Sequence, residues 1–175
     1  DTVDIVLPNT WQGDAKGGGG NLATDWTNAE NWSQGTVPNS SDFVIIPDVQ
    51  NLPILDLNIN LGSFEVQDGV GLTLFGGNAI MVTGNINLNG TLNIEDNTEI
   101  TTEGNFVGTG SFSAGNNTSI DISGDISIGS FFARTAGSDV NLNGESPQVI
   151  STPAFLAQNL NIQNDVNADS NTDLI

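Results

Sequence analysis

Apolar residues recur at a fixed distance along the middle of the chain. A period of 20 residues relates the following positions: Ile80, Ile100, Ile120, Val140 and Leu160. The positions two residues further on are mostly apolar as well: Val82, Thr102, Ile122, Leu142 and Ile162. Because apolar and polar residues alternate there, the pattern predicts a strand with one buried face in every repeat.

Two further apolar columns share the same period. One column holds Val66, Ile86, Phe106 and Ile126. The other holds Leu72, Leu92, Phe112 and Phe132, with Leu74, Ile94 and Ala114 beside it. Each repeat therefore contains three short strands. Between the strands lie Gly, Asn, Asp and Ser, including a glycine column at Gly84, Gly104, Gly124 and Gly144, and these residue types favour tight corners.

The period decides between the possible all-β architectures. Three short strands cannot bury an apolar face alone, whereas stacked turns place equivalent side chains about 4.8 Å apart in continuous ladders. An antiparallel sandwich would not explain why Gly and Ile recur at the same spacing over successive repeats. The sequence therefore predicts an all-β, right-handed parallel β-helix, or solenoid, of about 20-residue coils.

The ends of the chain depart from this period. Residues 1–48 hold all three tryptophans and are predicted to form an N-terminal cap over the first coil. The coils are assigned to residues 49–165, and residues 166–175 to a frayed end or the start of a further coil. The chain begins at Asp1 and is interpreted as a mature or excised segment. Arg134 falls in an apolar column, which predicts a bulge or slipped turn at residues 133–138.

Charge and composition narrow the range of functions. The chain has 21 acidic and 2 basic residues, a formal net charge of -19, and no His, Cys or Tyr. Nucleic acids and acidic membrane surfaces are therefore repelled. Catalytic triads, thiol nucleophiles and zinc sites of the usual kind lack their residues. No apolar run is long enough to span a membrane. We expect no membrane insertion and no enzymatic activity.

Carboxylates are the remaining candidates for chemistry. One column follows the glycines: Glu65, Asn85, Asn105, Asp125, Glu145 and Asp165. If the period holds, Asn85 and Asn105 stack their side-chain amides as a corner ladder, and Asp125, Glu145 and Asp165 lie about 5 Å apart along the axis. These carboxylates are either solvated corner residues or ligands of a hard cation, for which calcium is the candidate. The cap offers Asp14, Asp25 and Asp42 for the same role, although Asp42 is also placed to bond the backbone amides of the turn at residues 39–41. The predicted metal-binding residues are Asp14, Asp25, Asp42, Asp125, Glu145 and Asp165.

The residue patterns bear on two surface activities of solenoids, ice binding and glycan binding. Ice binding needs a flat rank of threonines, and only Thr98 and Thr118 align, with Ser138 after them and Asn78 before. Glycan binding in a trough needs exposed aromatic residues, but the phenylalanines lie on or beside the apolar columns and are expected in the core.

Several short segments resemble a known class of bacterial proteins. In the first part of the chain they are Trp11-Gln-Gly13, Trp26, Asn31-Trp32-Ser33, Gly35, Val37-Pro38, Asp42 and Val44-Ile45-Ile46-Pro47. These resemble the N-terminal segment of large secreted and surface-anchored proteins of Bacteroidetes-type bacteria. Further on they are Val140-Asn-Leu-Asn-Gly144, Gln148-Val-Ile150, Phe155 and Asn159-Leu-Asn-Ile162. These are similar to the closing turns of β-helical adhesin-like modules in such proteins. The resemblance implies export, often by the type IX route, and a place at the cell surface.

Together these observations favour a non-enzymatic extracellular β-helical module: a surface stalk, an adhesin segment or a filament subunit. The alternative is a polysaccharide-active or glycan-binding β-helix protein. The expected partners are further coils, through self-association or continuation in a longer chain, and surface glycans. Apart from calcium, no cofactor is expected.

Overall fold

A computed structural model describes residues 7–15 and 22–163, together with the backbone of two later strands, Val166–Ala168 and Asp173–Leu174. The protein is all-β, and its parallel sheets form a β-solenoid of about six turns, as the period predicts. Within the described residues, the helical segments are two short 3-10 helices, Leu22–Thr24 and Ala29–Asn31.

Three parallel sheets form the faces of the solenoid, and successive coils contribute successive strands to each. The first sheet contains, in order, β1 Asn9–Thr10, β2 Phe43–Ile46, β4 Ser63–Val66, β7 Ile86–Leu88, β10 Phe106–Val107, β13 Ile126–Ser127, β16 Gln148–Ile150 and β19 Val166–Ala168. The second contains β5 Gly71–Leu74, β8 Thr91–Ile94, β11 Ser111–Ala114, β14 Ser130–Ala133, β17 Ala154–Ala157 and β20 Asp173–Leu174. The third contains β3 Ile59–Leu61, β6 Ala79–Val82, β9 Glu99–Thr102, β12 Ser119–Ile122, β15 Asp139–Leu142 and β18 Asn159–Ile162.

The third sheet follows the predicted register. Ile80 pairs with Ile100, Ile100 with Ile120, and the ladder continues through Val140 to Leu160. The first four of these residues are buried and Leu160 is partly buried. The strands alternate buried and exposed positions because successive side chains point to opposite faces of a strand. One continuous apolar core results.

The first sheet corrects one predicted column. Ile86 pairs with Phe64 rather than Val66, which pairs instead with Leu88. The first full coil is longer than 20 residues here because its corner after Val66 includes Asp68 and Gly69, and Gly69 has a φ of +82°. Beyond that corner the 20-residue spacing returns, since Leu72 pairs with Leu92.

The second sheet corrects another column. Phe112 pairs with Phe131, not Phe132, because the corner around Gly129 is one residue shorter than the equivalent corner in the preceding coil. Phe131 is fully buried, whereas Phe132 is 40% exposed on the outer face. The missing residue is regained in the turn between Ala133 and Ser138, where Arg134 is exposed. The predicted irregular turn at residues 133–138 is thus confirmed, and its cause is a slip one corner earlier.

The predicted cap is joined to the coils by hydrogen bonds and by packing. β1 pairs with β2, and β2 pairs with β4, so the first sheet runs without interruption across residue 48. Trp11, Trp26 and Trp32 are buried and pack on one another with ring centroids 4.7 to 6.3 Å apart. They belong to the same core as the coils. The division at residue 48 therefore stays a prediction from composition.

The glycine column marks a corner without room for a side chain. The Gly104 N–H donates to the Gly84 carbonyl at 3.1 Å, and Gly124 donates to Gly104 in the same way. A Cβ atom on Gly104 would lie 2.5 Å from the Gly84 carbonyl carbon. Glycine is needed at this corner because consecutive coils approach backbone to backbone.

Candidate functional site

The polar column that follows the glycines forms a hydrogen-bonded ladder. Asn85 Oδ1 accepts from the main-chain N–H of Asn105, and Asn105 Oδ1 accepts from that of Asp125, both at 2.8 Å. Asp125 Oδ1 in turn accepts from the Val149 N–H at 2.8 Å. Each side chain therefore binds the main chain of the next coil. The predicted stacking of Asn85 over Asn105 is confirmed, but the bond runs from side chain to backbone.

Glu65 and Glu145 do not belong to this column, contrary to the prediction. Glu65 lies on β4 and pairs with Asn87. Ile126 pairs with Ile150, so the coil is four residues longer than the period, and Glu145 lies exposed in the enlarged corner. Buried Gln148 holds that corner: its side chain accepts from the Gly144 N–H and donates to the Ile122 carbonyl at 2.9 Å. The predicted axial row of carboxylates is broken at Val149, and Asp165 lies outside the described residues.

The three cap carboxylates make separate local contacts. Asp14 is exposed, and Asp25 Oδ1 accepts from the main-chain N–H and the hydroxyl of Thr27 at 2.8 and 2.7 Å. Asp42 Oδ2 accepts from the backbone and side-chain N–H groups of Asn39, both at 2.8 Å. The prediction that Asp42 bonds the amides of its turn is confirmed.

Calcium binding remains a prediction after these placements. Within residues 7–15 and 22–163, no three acidic side chains come close enough together to hold a metal ion. Calcium in proteins takes six to eight oxygen ligands. Each described carboxylate proposed as a ligand would therefore need several oxygens from other groups.

The aligned hydroxyls point inwards. Thr98, Thr118 and Ser138 are buried, and each donates to the carbonyl oxygen three residues earlier, at 2.6, 3.3 and 2.7 Å respectively. The Asn78 amide makes the same contact with the Phe75 carbonyl. This column satisfies the carbonyl groups of a corner and offers no surface to ice. The sequence analysis does not predict this role, although the regular 20-residue spacing of these hydroxyl residues is a usable signal.

A second ladder lies at the corner between the second and third sheets. Asp96 Oδ1 accepts from the Asn116 main-chain N–H at 2.7 Å, and the Asn116 side-chain amide also reaches the carboxylate. Asn116 Oδ1 accepts from the Ala136 N–H at 3.2 Å. The bond from the Asn116 backbone and then that from its side chain lower the pKa of the Asp96 carboxyl below its ordinary value.

A groove of about 330 Å³ opens beside the tryptophan cluster. It is lined by Trp26, Val37, Pro38, Asn39, Ser40, Leu57, Asn58, Ile59 and Asn60. Because these residues come from three separate stretches of chain, no sequence motif predicts the groove. We call this surface the Trp26 groove.

The tryptophans of the cluster differ in how their indole N–H groups are used. Trp11 donates to the Asn51 carbonyl at 2.7 Å, and Trp32 donates to the Trp26 carbonyl at 2.9 Å. The Trp26 indole N–H has no acceptor among the described residues, although the side chain is only 3% exposed. Among the three indole N–H groups of the cluster, that of Trp26 is thus the one without a hydrogen-bond partner in the described part of the chain.

Comparison with known proteins identifies a family and no activity. No helix of the described residues has the length and apolar character needed to cross a membrane. Neither a curated protein nor a solved structure matches the chain. Residues 18–130 match a family model described as a domain of unknown function, DUF8693. Because the match spans more than half of the chain and includes both the Trp26 groove and most coils, the protein belongs to the DUF8693 family.

Proposed function

We propose that the protein is a non-enzymatic extracellular module with a structural and adhesive role: a surface stalk, an adhesin segment or a filament subunit. The observation that carries this proposal is the use of polar corner side chains to join successive coils. Asn85, Asn105 and Asp125 do so at one corner, and Asp96 and Asn116 at another. These groups are engaged in holding the stack together.

The ladders favour a stiff rod. Eight strands of the first sheet stack in parallel, and at about 4.8 Å per strand they extend roughly 34 Å. Since neighbouring coils share main-chain bonds, corner ladders and one core, bending the rod would break several contacts at once. Stiffness of this kind suits a spacer that holds other parts of a surface protein apart.

The outer face of the third sheet supports an adhesive role. Asn161 donates through its side-chain amide to Asn141 Oδ1, and Asn159 donates to Asp139 Oδ1, both at 2.8 Å. The bonds align these polar side chains across neighbouring strands. An ordered polar surface offers many hydrogen-bonding groups at low entropic cost to a partner.

The extracellular location rests on the resemblance to Bacteroidetes-type surface proteins carried by the Trp-containing segment and the closing coils. The acidic charge is in keeping with it, because a net charge of -19 disfavours binding to nucleic acid. An antibody against the module should label intact cells, and brief protease treatment of intact cells should remove the epitope. Labelling only after lysis would contradict the proposal.

The non-enzymatic part of the proposal is tested by a turnover screen. The purified chain is incubated with neutral and acidic polysaccharides, and new reducing ends and unsaturated products are measured. We expect none above the level of a heat-denatured sample. Turnover that one Asp→Asn substitution abolishes would overturn this proposal in favour of a polysaccharide-active β-helix.

A further inference from the structure

The starting observation is an unused donor in the core. The Trp26 side chain is only 3% exposed, yet within the described residues its indole N–H donates to no acceptor, unlike those of Trp11 and Trp32. Among the described residues, every fully buried side-chain nitrogen or oxygen has a hydrogen-bond partner. The Trp26 nitrogen therefore keeps access to solvent, and Trp26 lines the Trp26 groove.

More unpaired polar groups lie along the same groove. Asn58 Oδ1 accepts from the Ala79 N–H at 2.9 Å, which orients the side chain and leaves its amide N–H₂ without a partner in the described part of the chain. The Asn60 amide and the Ser40 hydroxyl likewise make no hydrogen bond there, and both residues are exposed. Several residues that line the groove thus carry polar groups without a partner in the described part of the chain.

The walls of the groove are held before any ligand arrives. Asp42 fixes Asn39 through two hydrogen bonds of 2.8 Å, and Asn39 Oδ1 accepts from the Ser41 N–H at 3.0 Å. On the opposite side, Asn58 is bonded to Ala79 and Ile59 pairs with Ile80. A preformed site loses little conformational freedom on binding, which favours affinity.

The lining indicates the class of ligand. Amides, a hydroxyl and an indole N–H recognise hydroxyl groups, while Val37, Pro38 and Leu57 offer apolar surface for C–H groups. Among the described residues, no Lys or Arg lines the groove, and the net charge of -19 disfavours an anion. We propose that the Trp26 groove binds a neutral carbohydrate, with the Trp26 indole N–H and the Asn60 side chain as hydrogen-bonding contacts. This goes beyond the structural role, because a spacer need not bind any ligand.

The test uses the whole chain on a printed array of neutral and acidic oligosaccharides. Wild type is compared with Asn60→Ala and with Trp26→Phe, which keeps an aromatic ring but removes the N–H. The matched control is Asn87→Ala, because Asn87 lies on the outer face of the first sheet, does not line the groove, and its side chain makes no hydrogen bond within the described residues. We expect neutral glycans to bind, each groove variant to lose about tenfold in affinity, and the control to bind as wild type does.

A second measurement keeps the proposal testable if the Trp26→Phe chain fails to fold. In a ¹⁵N-labelled wild-type chain, titration with the best array glycan should move the Trp26 indole resonance more than those of Trp11 and Trp32. Absence of neutral glycan binding, a preference for acidic glycans, equal loss in Asn87→Ala, or an unmoved Trp26 resonance would each overturn the proposal. None of these outcomes bears on the structural role, which the turnover and surface-labelling experiments test separately.

Discussion

Phe131 stacks on Phe155 of the next coil, with ring centroids 4.8 Å apart and planes inclined by 20°. Phe112 lies on the other side of Phe131 at the same centroid distance. Three consecutive coils therefore share one aromatic column, and neighbouring Phe132 is outside it. The register of the second sheet therefore places Phe131, and not the adjacent Phe132, in this column.

The first prediction compares those two residues. Phe131→Ala should reduce the free energy of unfolding by about 3 to 5 kcal/mol, because it leaves a cavity in a closely packed column. Phe132→Ala should cost less than about 1 kcal/mol, since the side chain is 40% exposed. Urea unfolding monitored by circular dichroism measures both. The reverse order would show that the register described above is wrong.

The second prediction concerns the corner ladder. Asn105→Ala removes the acceptor of the Asp125 N–H and should cost about 1 kcal/mol, the usual net contribution of one hydrogen bond. Asn87→Ala is the control, because its side chain faces outwards and makes no hydrogen bond within the described residues. Equal stability of the two variants in urea would mean that the ladder contributes nothing.

The third prediction separates two glycines. Gly104→Ala places a methyl group against the Gly84 backbone and should cost about 1 to 3 kcal/mol, as overpacking does. Gly71 has open space around its potential Cβ and no positive φ. Gly71→Ala should therefore leave stability unchanged or raise it by up to about 1 kcal/mol. Thermal melting of both variants is the measurement, and a Gly104→Ala chain that melts like wild type would contradict the close-approach argument.

The fourth prediction is a pH dependence at Asp96. Asn116 lowers the pKa of the Asp96 carboxyl in the folded state, so this carboxylate stabilises the fold above its unfolded pKa of about 3.9. The contribution is lost as the pH falls through the lowered folded pKa. Wild type should therefore melt above Asp96→Asn at pH 6, and the gap should shrink as the pH falls below about 4. Asp56→Asn is the control, because Asp56 is exposed and its carboxylate makes no hydrogen bond within the described residues. A gap that is constant with pH would argue against a role for the Asp96 charge.

The fifth prediction addresses calcium. We expect millimolar calcium to raise the melting temperature more than magnesium does, because calcium bound to the folded chain adds to the screening of the acidic surface that both ions provide. A site of oxygen ligands would favour calcium over magnesium. A chelator should reverse the additional shift, and an Asp165→Asn variant tests the predicted ligand outside the described residues. Equal shifts with the two ions would contradict this expectation.

Much of the coil pattern was readable from residue types. Ile80, Ile100 and Ile120 pair as the period predicts, because a strand that buries alternate residues needs an apolar side chain at each equivalent position. The disturbed turn at residues 133–138 also follows from residue types, because Arg134 falls in an apolar column. The errors at Val66, Phe132 and Glu145 share one cause: corners of solenoid coils vary in length, and polar corner residues carry little information about that length.

The Trp26 groove could not have been inferred in the same way. Its lining residues lie in separate segments, around Trp26, Pro38 and Asn58, and only packing brings them together. The free indole N–H depends on where Trp11 and Trp32 find their acceptors, which is a property of the folded cluster.

The sequence by itself determined the class of fold, because a 20-residue period of apolar residues gives a continuous core only if equivalent residues of successive coils lie over one another. It also determined the acidic, His-free and Cys-free chemistry of the surface. Only the tertiary structure decided which of two adjacent phenylalanines enters the core, which carboxylates reach the next coil, and where an unpaired donor meets solvent. The physical reason is that the apolar period repeats in every coil. Corner lengths and single hydrogen-bond partners depend instead on main-chain groups, and since every residue carries these groups, residue types say little about them.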